Sequence, residues 1–124
     1  MSGTDIFIDT NICIYLLNGD AFLAESLQDL EVYISIITEM ELYAYHGNDE
    51  SKIKVLDEFI ESVNVLNINK GVKENTILIR KNNKLKLPDS IIAASALSNN
   101  LPLMTADKLF HRVSGLDLVF YEKS

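Results

Sequence analysis

Short apolar runs alternate along the chain with longer stretches in which apolar positions recur about every 3.6 residues, the period of a helix. Short runs bounded by turn residues predict strands. The predicted strands are residues 5–8, 32–34, 63–66, 102–105 and 116–121. Because helical stretches separate them, the pattern predicts an α/β fold in which a parallel sheet carries helices on both faces.

Capping residues and periodicity predict the helices between these strands. Thr10 or Asn11 is the predicted cap of the first helix and Ser35 or Thr38 that of the second, while a third helix follows the turn at 47–49. The later predicted helices are 70–84, 89–99 with Pro88 at its first turn, and a short one around Leu109 and Phe110.

A length of 124 residues with 48% hydrophobic and 23% charged residues predicts one globular domain covering 1–124. The first residues reach an acid before any apolar run and hold no basic stretch, so we do not expect a secretory signal there, and no apolar run approaches the roughly 20 residues of a membrane span. Cys13 is the one cysteine, so it forms no internal disulfide, and we expect it to be buried. These features predict a cytoplasmic protein that is not embedded in a membrane.

The charge is unevenly distributed. The chain has a net charge of −7, but residues 70–86 hold six bases and one acid, so this segment carries +5 and the rest −12. Such a segment can contact phosphates, and the candidates for these contacts are Arg80, Lys81, Lys84 and Lys86. The alternative is a solvated helix face with basic residues placed near its C-terminal end by the helix dipole.

Two acids follow predicted strands. Asp9 comes directly after 5–8 and Asp107 shortly after 102–105, so both should lie at the same edge of the sheet, where parallel α/β folds bind ligands. Each could instead be a helix N-cap.

Two further acids lie on predicted helices. Asp89 is in line with the apolar stripe of Ile92 and Ala96, although an acid in a first turn also complements the helix dipole.

Glu41 shares a helical face with Ile37 and Tyr45. The spacing of Thr38 and Glu41 also matches a capping box, which would turn Glu41 onto the backbone. Glu39 points to another face of the same helix, and periodicity does not choose between the two glutamates.

Carboxylates that converge on one edge of the sheet repel one another unless cations lie between them. Hard oxygen donors select Mg²⁺ or Mn²⁺, ions that promote phosphodiester cleavage.

Four segments resemble, in order, the acidic motifs of PIN-domain ribonucleases: residues 6–11 (IFIDTN), 35–42 (SIITEMEL), 87–97 (LPDSIIAASAL) and 103–110 (LMTADKLF). The length and layout are similar to those of VapC toxins. The resemblance implies that Asp9, Glu41, Asp89 and Asp107 are the catalytic, metal-binding acids, accompanied by the polar residues Asn11 and Thr105. The Glu-Leu pair of the second motif favours Glu41 over Glu39.

The resemblance also implies a three-layer α/β/α PIN-like fold with a parallel sheet of about five strands. It implies a Mg²⁺- or Mn²⁺-dependent endoribonuclease that is the toxin of a toxin–antitoxin pair. The implied partners are an RNA substrate, an antitoxin protein and a second copy of the chain in a homodimer.

Two other functions are compatible with the same residues. A phosphotransfer enzyme could use an acid after its first strand, but Asn11 stands where its usual second acid would be. An RNA-binding module of the same fold could use the basic segment without catalysis. We interpret His46 and His111 as surface or boundary residues. Core packing is the first expectation for Tyr15, Tyr43 and Tyr45, with a partner surface as the alternative.

Overall fold

A computed structural model describes residues 4–123 of the protein and contains a five-stranded sheet whose paired strands all run parallel. The strands are β1 (Asp5–Ile8), β2 (Glu31–Ser35), β3 (Asn64–Leu66), β4 (Leu103–Thr105) and β5 (Leu118–Phe120). Their order across the sheet is β3-β2-β1-β4-β5. The parallel sheet of the sequence prediction is confirmed.

Within the described residues, six α-helices and one 3₁₀-helix connect the strands. The α-helices are α1 (Thr10–Leu17), α2 (Ala21–Leu27), α3 (Ile36–His46), α4 (Glu50–Ser62), α5 (Lys70–Asn82) and α6 (Leu87–Ser98), and the 3₁₀-helix covers Lys108–Arg112. The longest helices within 4–123 have 13 residues, and none of them has the length and apolar character that a bilayer crossing requires.

Apolar residues fill both faces of the sheet. Side chains alternate along a strand, so Phe7 faces one layer while Ile6 and Ile8 face the other. Phe7 packs in a core with residues of α5 and α6, whereas Ile6 and Ile8 pack in a second core with residues of α1 to α4. This arrangement confirms the predicted three-layer α/β/α fold.

The chain changes direction across the sheet at β1. From β1 it continues to β2 and β3 on one side, and it then returns to place β4 and β5 on the other. β1 and β4 are paired with Phe7 opposite Leu103 and Ile8 opposite Met104. In parallel sheets such a switch point leaves a crevice beyond the strands' carboxyl ends, and this one lies directly after β1 and β4.

Several predicted helix boundaries are corrected by the structure. The first helix is capped by Asp9, not by Thr10 or Asn11, because its carboxylate accepts the backbone N–H of Ile12. Of the two caps predicted for α3, Ser35 is confirmed and Thr38 is wrong. The helix α2 is absent from the sequence prediction, because only Leu23 and Leu27 of its residues are buried and this leaves little apolar periodicity to detect.

Candidate active site

A cavity of about 150 Å³ lies at the crevice beyond β1 and β4, and all four predicted acids line it. Its walls are formed by Asp9, Thr10, Asn11, Glu41, Asp89, Ile92, Asp107 and Phe110. Asp9 and Asp107 follow the ends of β1 and β4. Glu41 comes from α3, and Asp89 comes from the start of α6. Parallel strand ends and two helices therefore bring together side chains that are distant in sequence.

Asp9 is buried, with only 4% of its surface exposed, and it is held from two sides. Its Oδ1 accepts the Ile12 backbone N–H at 2.9 Å, and its Oδ2 accepts a hydrogen bond from the hydroxyl of Thr105. The N-cap alternative considered for Asp9 is therefore correct, yet the same carboxylate also lines the cavity. Capping fixes its position without removing it from the site.

Thr105 connects the first and fourth acids from behind. It is fully buried and does not line the cavity. Its hydroxyl donates to Asp9 and accepts the backbone N–H of Asp107 at 3.0 Å. Asp107 in turn caps the 3₁₀-helix, accepting the N–H of Leu109 at 2.9 Å, so the capping alternative also holds for this acid.

Glu41 is oriented by a threonine of the first motif. Its Oε1 accepts a hydrogen bond from the Thr10 hydroxyl at 2.7 Å. The predicted capping box with Thr38 is wrong, because α3 begins at Ile36 and Thr38 lies inside the helix. Glu39 is not among the residues that line the cavity, whereas Asn11 lines it with an exposed side chain.

Asp89 lies in the first turn of α6, which is buried along most of its length. Residues 90–96 are all buried, and Ile92, one turn after Asp89, also lines the cavity. Pro88 occupies the first turn, where its missing N–H costs no helical hydrogen bond. The buried helix therefore holds Asp89 at the end of its apolar stripe, as its sequence pattern predicts.

Burial and mutual repulsion raise the pKa values of two of the acids. Burial is the main reason that the pKa of Asp9 is raised; the charges of Asp89 and Asp107 add to the rise, while the hydrogen bonds from Thr105 and Ile12 oppose it. The pKa of Asp89 is raised by burial first, then by Asp107 and Glu41. The four carboxylates therefore interact electrostatically across the cavity.

The chemistry of these donors fits a hard divalent cation. Within residues 4–123, no three histidine, cysteine or acidic side chains lie close enough together to form a complete metal site as they stand. The acids around the cavity nevertheless offer only carboxylate oxygens, the donors that Mg²⁺ and Mn²⁺ prefer. The pKa values of Asp9 and Asp89 are raised first by burial and then by neighbouring carboxylates, and a bound cation would favour the ionised form of both acids.

None of the four predicted RNA-binding bases lines the cavity. Lys86 is close enough to Asp89 to lower the pKa of that acid, against the larger effects that raise it. Lys81 and Lys84 are exposed. The guanidinium of Arg80 donates to the Leu85 carbonyl at 2.7 Å, so this side chain fastens the connection between α5 and α6, a role that its charge alone did not indicate.

Three wall residues of the cavity are not among the predicted site residues: Thr10, Phe110 and Ile92, which the sequence pattern places only in the apolar stripe of its helix. The sequence pattern presents Thr10 only as a helix cap, although its place between Asp9 and Asn11 in the first motif is a signal that it belongs to the site. Phe110 was assigned to a short helix without a role. Phe110 is almost fully buried in the core that includes α5 and α6, and it also lines the cavity.

The remaining expectations have mixed outcomes. Cys13 is buried, as predicted. Tyr15 and Tyr43 are partly buried against the core formed with α1 to α4, but core packing is wrong for Tyr45, which is 66% exposed. His111 is exposed and its ring lies 4.4 Å from that of Phe120, measured between centroids.

Several solved structures share this fold over nearly the whole chain. A chain of the VapBC-1 complex from nontypeable Haemophilus influenzae is 30% identical, with a TM-score of 0.79 over 94% of this chain and 97% of that one. A chain of a toxin–antitoxin complex from Klebsiella pneumoniae is also 30% identical, with a TM-score of 0.79 over 92% and 95%. A chain of DNA-bound VapBC from Salmonella typhimurium is 26% identical, with a TM-score of 0.81 over 93% and 97%.

A comparison with curated protein sequences gives no match. The family model described as PIN domain matches residues 6–116, a span that includes all four acids around the cavity and the carboxyl ends of β1 and β4. The fold, the structural relatives and this match agree, and the chain belongs to the PIN domain family.

Proposed function

We propose that this protein is a divalent-cation-dependent endoribonuclease and the toxin of a toxin–antitoxin pair. The observation that carries the proposal is the single cavity lined by Asp9, Glu41, Asp89 and Asp107 at the end of β1 and β4 in a PIN domain. The pKa values of Asp9 and Asp89 are raised first by burial and then by the neighbouring carboxylates, and strongly perturbed acids in a cavity are typical of functional sites.

These four acids would hold one or two Mg²⁺ or Mn²⁺ ions, directly or through water. A cation bound there supplies Lewis-acid chemistry, because it polarises the phosphodiester and makes water a better nucleophile. Hydrolysis adds water across one P–O bond, leaving a phosphate on one RNA fragment and a hydroxyl on the other.

The neighbouring side chains would keep the acids in place. Thr105 fixes Asp9 through its hydroxyl and also binds the Asp107 backbone. Thr10 fixes Glu41. Asn11, exposed at the cavity, is placed to orient water or a phosphate oxygen. Such supporting hydrogen bonds set the orientation of metal-binding groups and contribute to their affinity.

The basic end of α5 and the loop after it would attract the RNA backbone. Lys81 and Lys84 are exposed, and Lys86 lies beside the site's third acid. These charges would offset the acidic remainder of the chain near the cavity, where RNA must approach. Arg80 would contribute mainly by fixing the loop that carries Lys84 and Lys86.

The similarity to chains of VapBC and other toxin–antitoxin complexes supports the toxin role. We propose that an antitoxin protein binds this chain and blocks the cavity, and that the chain forms a homodimer in the cytoplasm. The alternative is a catalytically weak or inactive RNA-binding module with the same fold.

Incubation of the purified protein with total RNA tests the proposal. We expect new RNA ends at defined positions with Mg²⁺ or Mn²⁺ and none with EDTA, and we expect Asp9→Asn to abolish them while retaining the fold. RNA binding without cleavage in any divalent cation would favour the binding module. Cleavage by Asp9→Asn at the wild-type rate would contradict the assigned site.

A further inference from the structure

A second threonine lies behind the one that holds Glu41. Thr38 of α3 is fully buried and is not part of the cavity wall. Its Oγ1 lies 3.0 Å from the Oγ1 of Thr10, which is 2.7 Å from Oε1 of Glu41. Two hydroxyls therefore form a continuous chain of hydrogen bonds that ends on a carboxylate of the candidate active site.

The donor and acceptor in each of these two hydrogen bonds follow from counting the available protons. An ionised carboxylate only accepts hydrogen bonds, and a hydroxyl has one proton to donate. Thr10 gives its proton to Glu41, so the bond between the threonines is donated by Thr38. The donation runs from Thr38 to Thr10 to Glu41, and each hydrogen bond in such a series polarises and strengthens the next.

Other buried hydroxyls in the described helices behave differently. Thr76, Ser90 and Ser95 each donate to the backbone carbonyl four residues earlier in the chain. That is the usual partner of a hydroxyl inside a helix. Thr38 is near the start of α3, where the residue four positions earlier, Ile34, belongs to β2. Its hydroxyl instead pairs across to the first turn of α1, where Thr10 stands.

We propose that Thr38 is a positioning residue, which acts through Thr10 to hold the Glu41 carboxylate in the orientation that binds the divalent cation. This inference rests on the proposed function of the cavity. Without the Thr38 hydroxyl, Thr10 can turn its proton elsewhere, and Glu41 loses a fixed donor. The free energy of ordering Glu41 must then come from cation binding, so the affinity for the cation falls.

The test is a Mn²⁺ titration followed by melting temperature, which reports cation binding without depending on activity. Thr38→Val removes the hydroxyl and keeps the shape, and we expect it to raise the half-saturating Mn²⁺ concentration about tenfold. Thr38→Ser restores the hydroxyl and should restore the wild-type concentration. Thr76→Val is the matched control, because it removes a buried hydroxyl that is bonded to its own helix.

A double variant tests whether Thr38 acts through Glu41. In a Glu41→Gln background, Thr38→Val should cause no further loss of Mn²⁺ affinity, since the group that it positions is already altered. An additive loss of Mn²⁺ affinity would contradict the proposal that Thr38 acts through Thr10 on Glu41, which we call the relay. Thr38→Ala provides a second variant without the hydroxyl if the valine cannot be accommodated.

The outcomes separate this inference from the proposed function. A wild-type protein that is stabilised by Mn²⁺ together with a Thr38→Val variant of equal affinity would overturn the relay alone. A wild-type protein that Mn²⁺ does not stabilise, and that cleaves no RNA, would overturn the proposed function and the relay with it.

Discussion

Asp9 combines two roles that are usually assigned to different residues. It caps α1 through Ile12, and it also faces the cavity with a carboxylate whose pKa is raised by burial. The cap gives the buried charge a hydrogen-bond donor, and Thr105 supplies a second. Asp107 follows the same plan at the 3₁₀-helix. For these residues, capping and function were alternatives in the sequence, but the structure shows that capping is how the acids are held at the cavity.

The acidity of the cavity should cost stability when no cation is bound. Because the pKa of Asp89 is raised in the folded protein, its stabilising contribution is present below the unfolded value of 3.8 and is lost as the pH rises through the folded pKa. In EDTA, Asp89→Asn should therefore have a higher free energy of unfolding than wild type at neutral pH. That advantage should shrink as the pH falls toward 3.8.

Urea denaturation at a series of pH values measures this difference. Asp29→Asn, which changes an exposed acid outside the cavity wall, is the control and should track wild type. A stability difference for Asp89→Asn that stays constant with pH would contradict the electrostatic description of the cavity.

At the scale of elements, apolar runs and motif spacing were enough to predict every strand. They placed Asp9 and Asp107 at one edge because parallel strands share the position of their carboxyl ends. The short helix α2 has too few buried positions for periodicity to reveal it. Contacts between distant elements, such as Thr10 with Glu41 and Thr38, are set by the packing of α1 on α3, and no local pattern encodes them.

The cap of α3 provides a test at this scale. Ser35 is buried, and its hydroxyl oxygen accepts the Ile37 N–H at 3.1 Å at the start of the helix that carries Glu41. Ser35→Ala should lower the free energy of unfolding by about 1 kcal/mol, the usual cost of losing an N-cap. Thermal and urea denaturation measure the loss.

Ser26→Ala is the matched control for this cap. The Ser26 hydroxyl donates to the Phe22 carbonyl on an exposed part of α2, so its removal should change the free energy of unfolding by less than about 0.5 kcal/mol. Equal effects of the two substitutions would show that Ser35 is not acting as a cap.

At the scale of the whole molecule, the net charge of −7 is the sum of one basic segment and an acidic remainder. Residues 70–86 carry +5, and the remaining −12 includes the four acids of the cavity. A cation at the cavity would offset part of this acidity where we propose that RNA approaches. The net charge of the whole chain therefore does not exclude a polyanionic partner, because an acidic protein can carry a basic segment on its surface.

Salt dependence of RNA binding tests this distribution of charge. For single-stranded RNA and Asp9→Asn protein, each lost phosphate contact should reduce the slope of log K against log salt by about 0.7. We expect Lys81→Gln with Lys84→Gln to weaken binding and to reduce the slope. Lys52→Gln with Lys54→Gln, on exposed positions of α4, should change neither quantity.

Fluorescence anisotropy over a range of salt concentrations provides both values. An unchanged slope for the Lys81 and Lys84 variant would show that RNA does not approach along α5.

The most direct test of the account compares two glutamates that are two residues apart on α3. Glu41 lines the cavity and Glu39 does not. RNA cleavage rates at a series of Mg²⁺ concentrations should fall about a hundredfold for Glu41→Gln, as expected when a group that holds a catalytic cation is neutralised, and should be unchanged for Glu39→Gln. Equal rates for wild type and Glu41→Gln, or a comparable loss for Glu39→Gln, would contradict the assignment of this cavity as the active site.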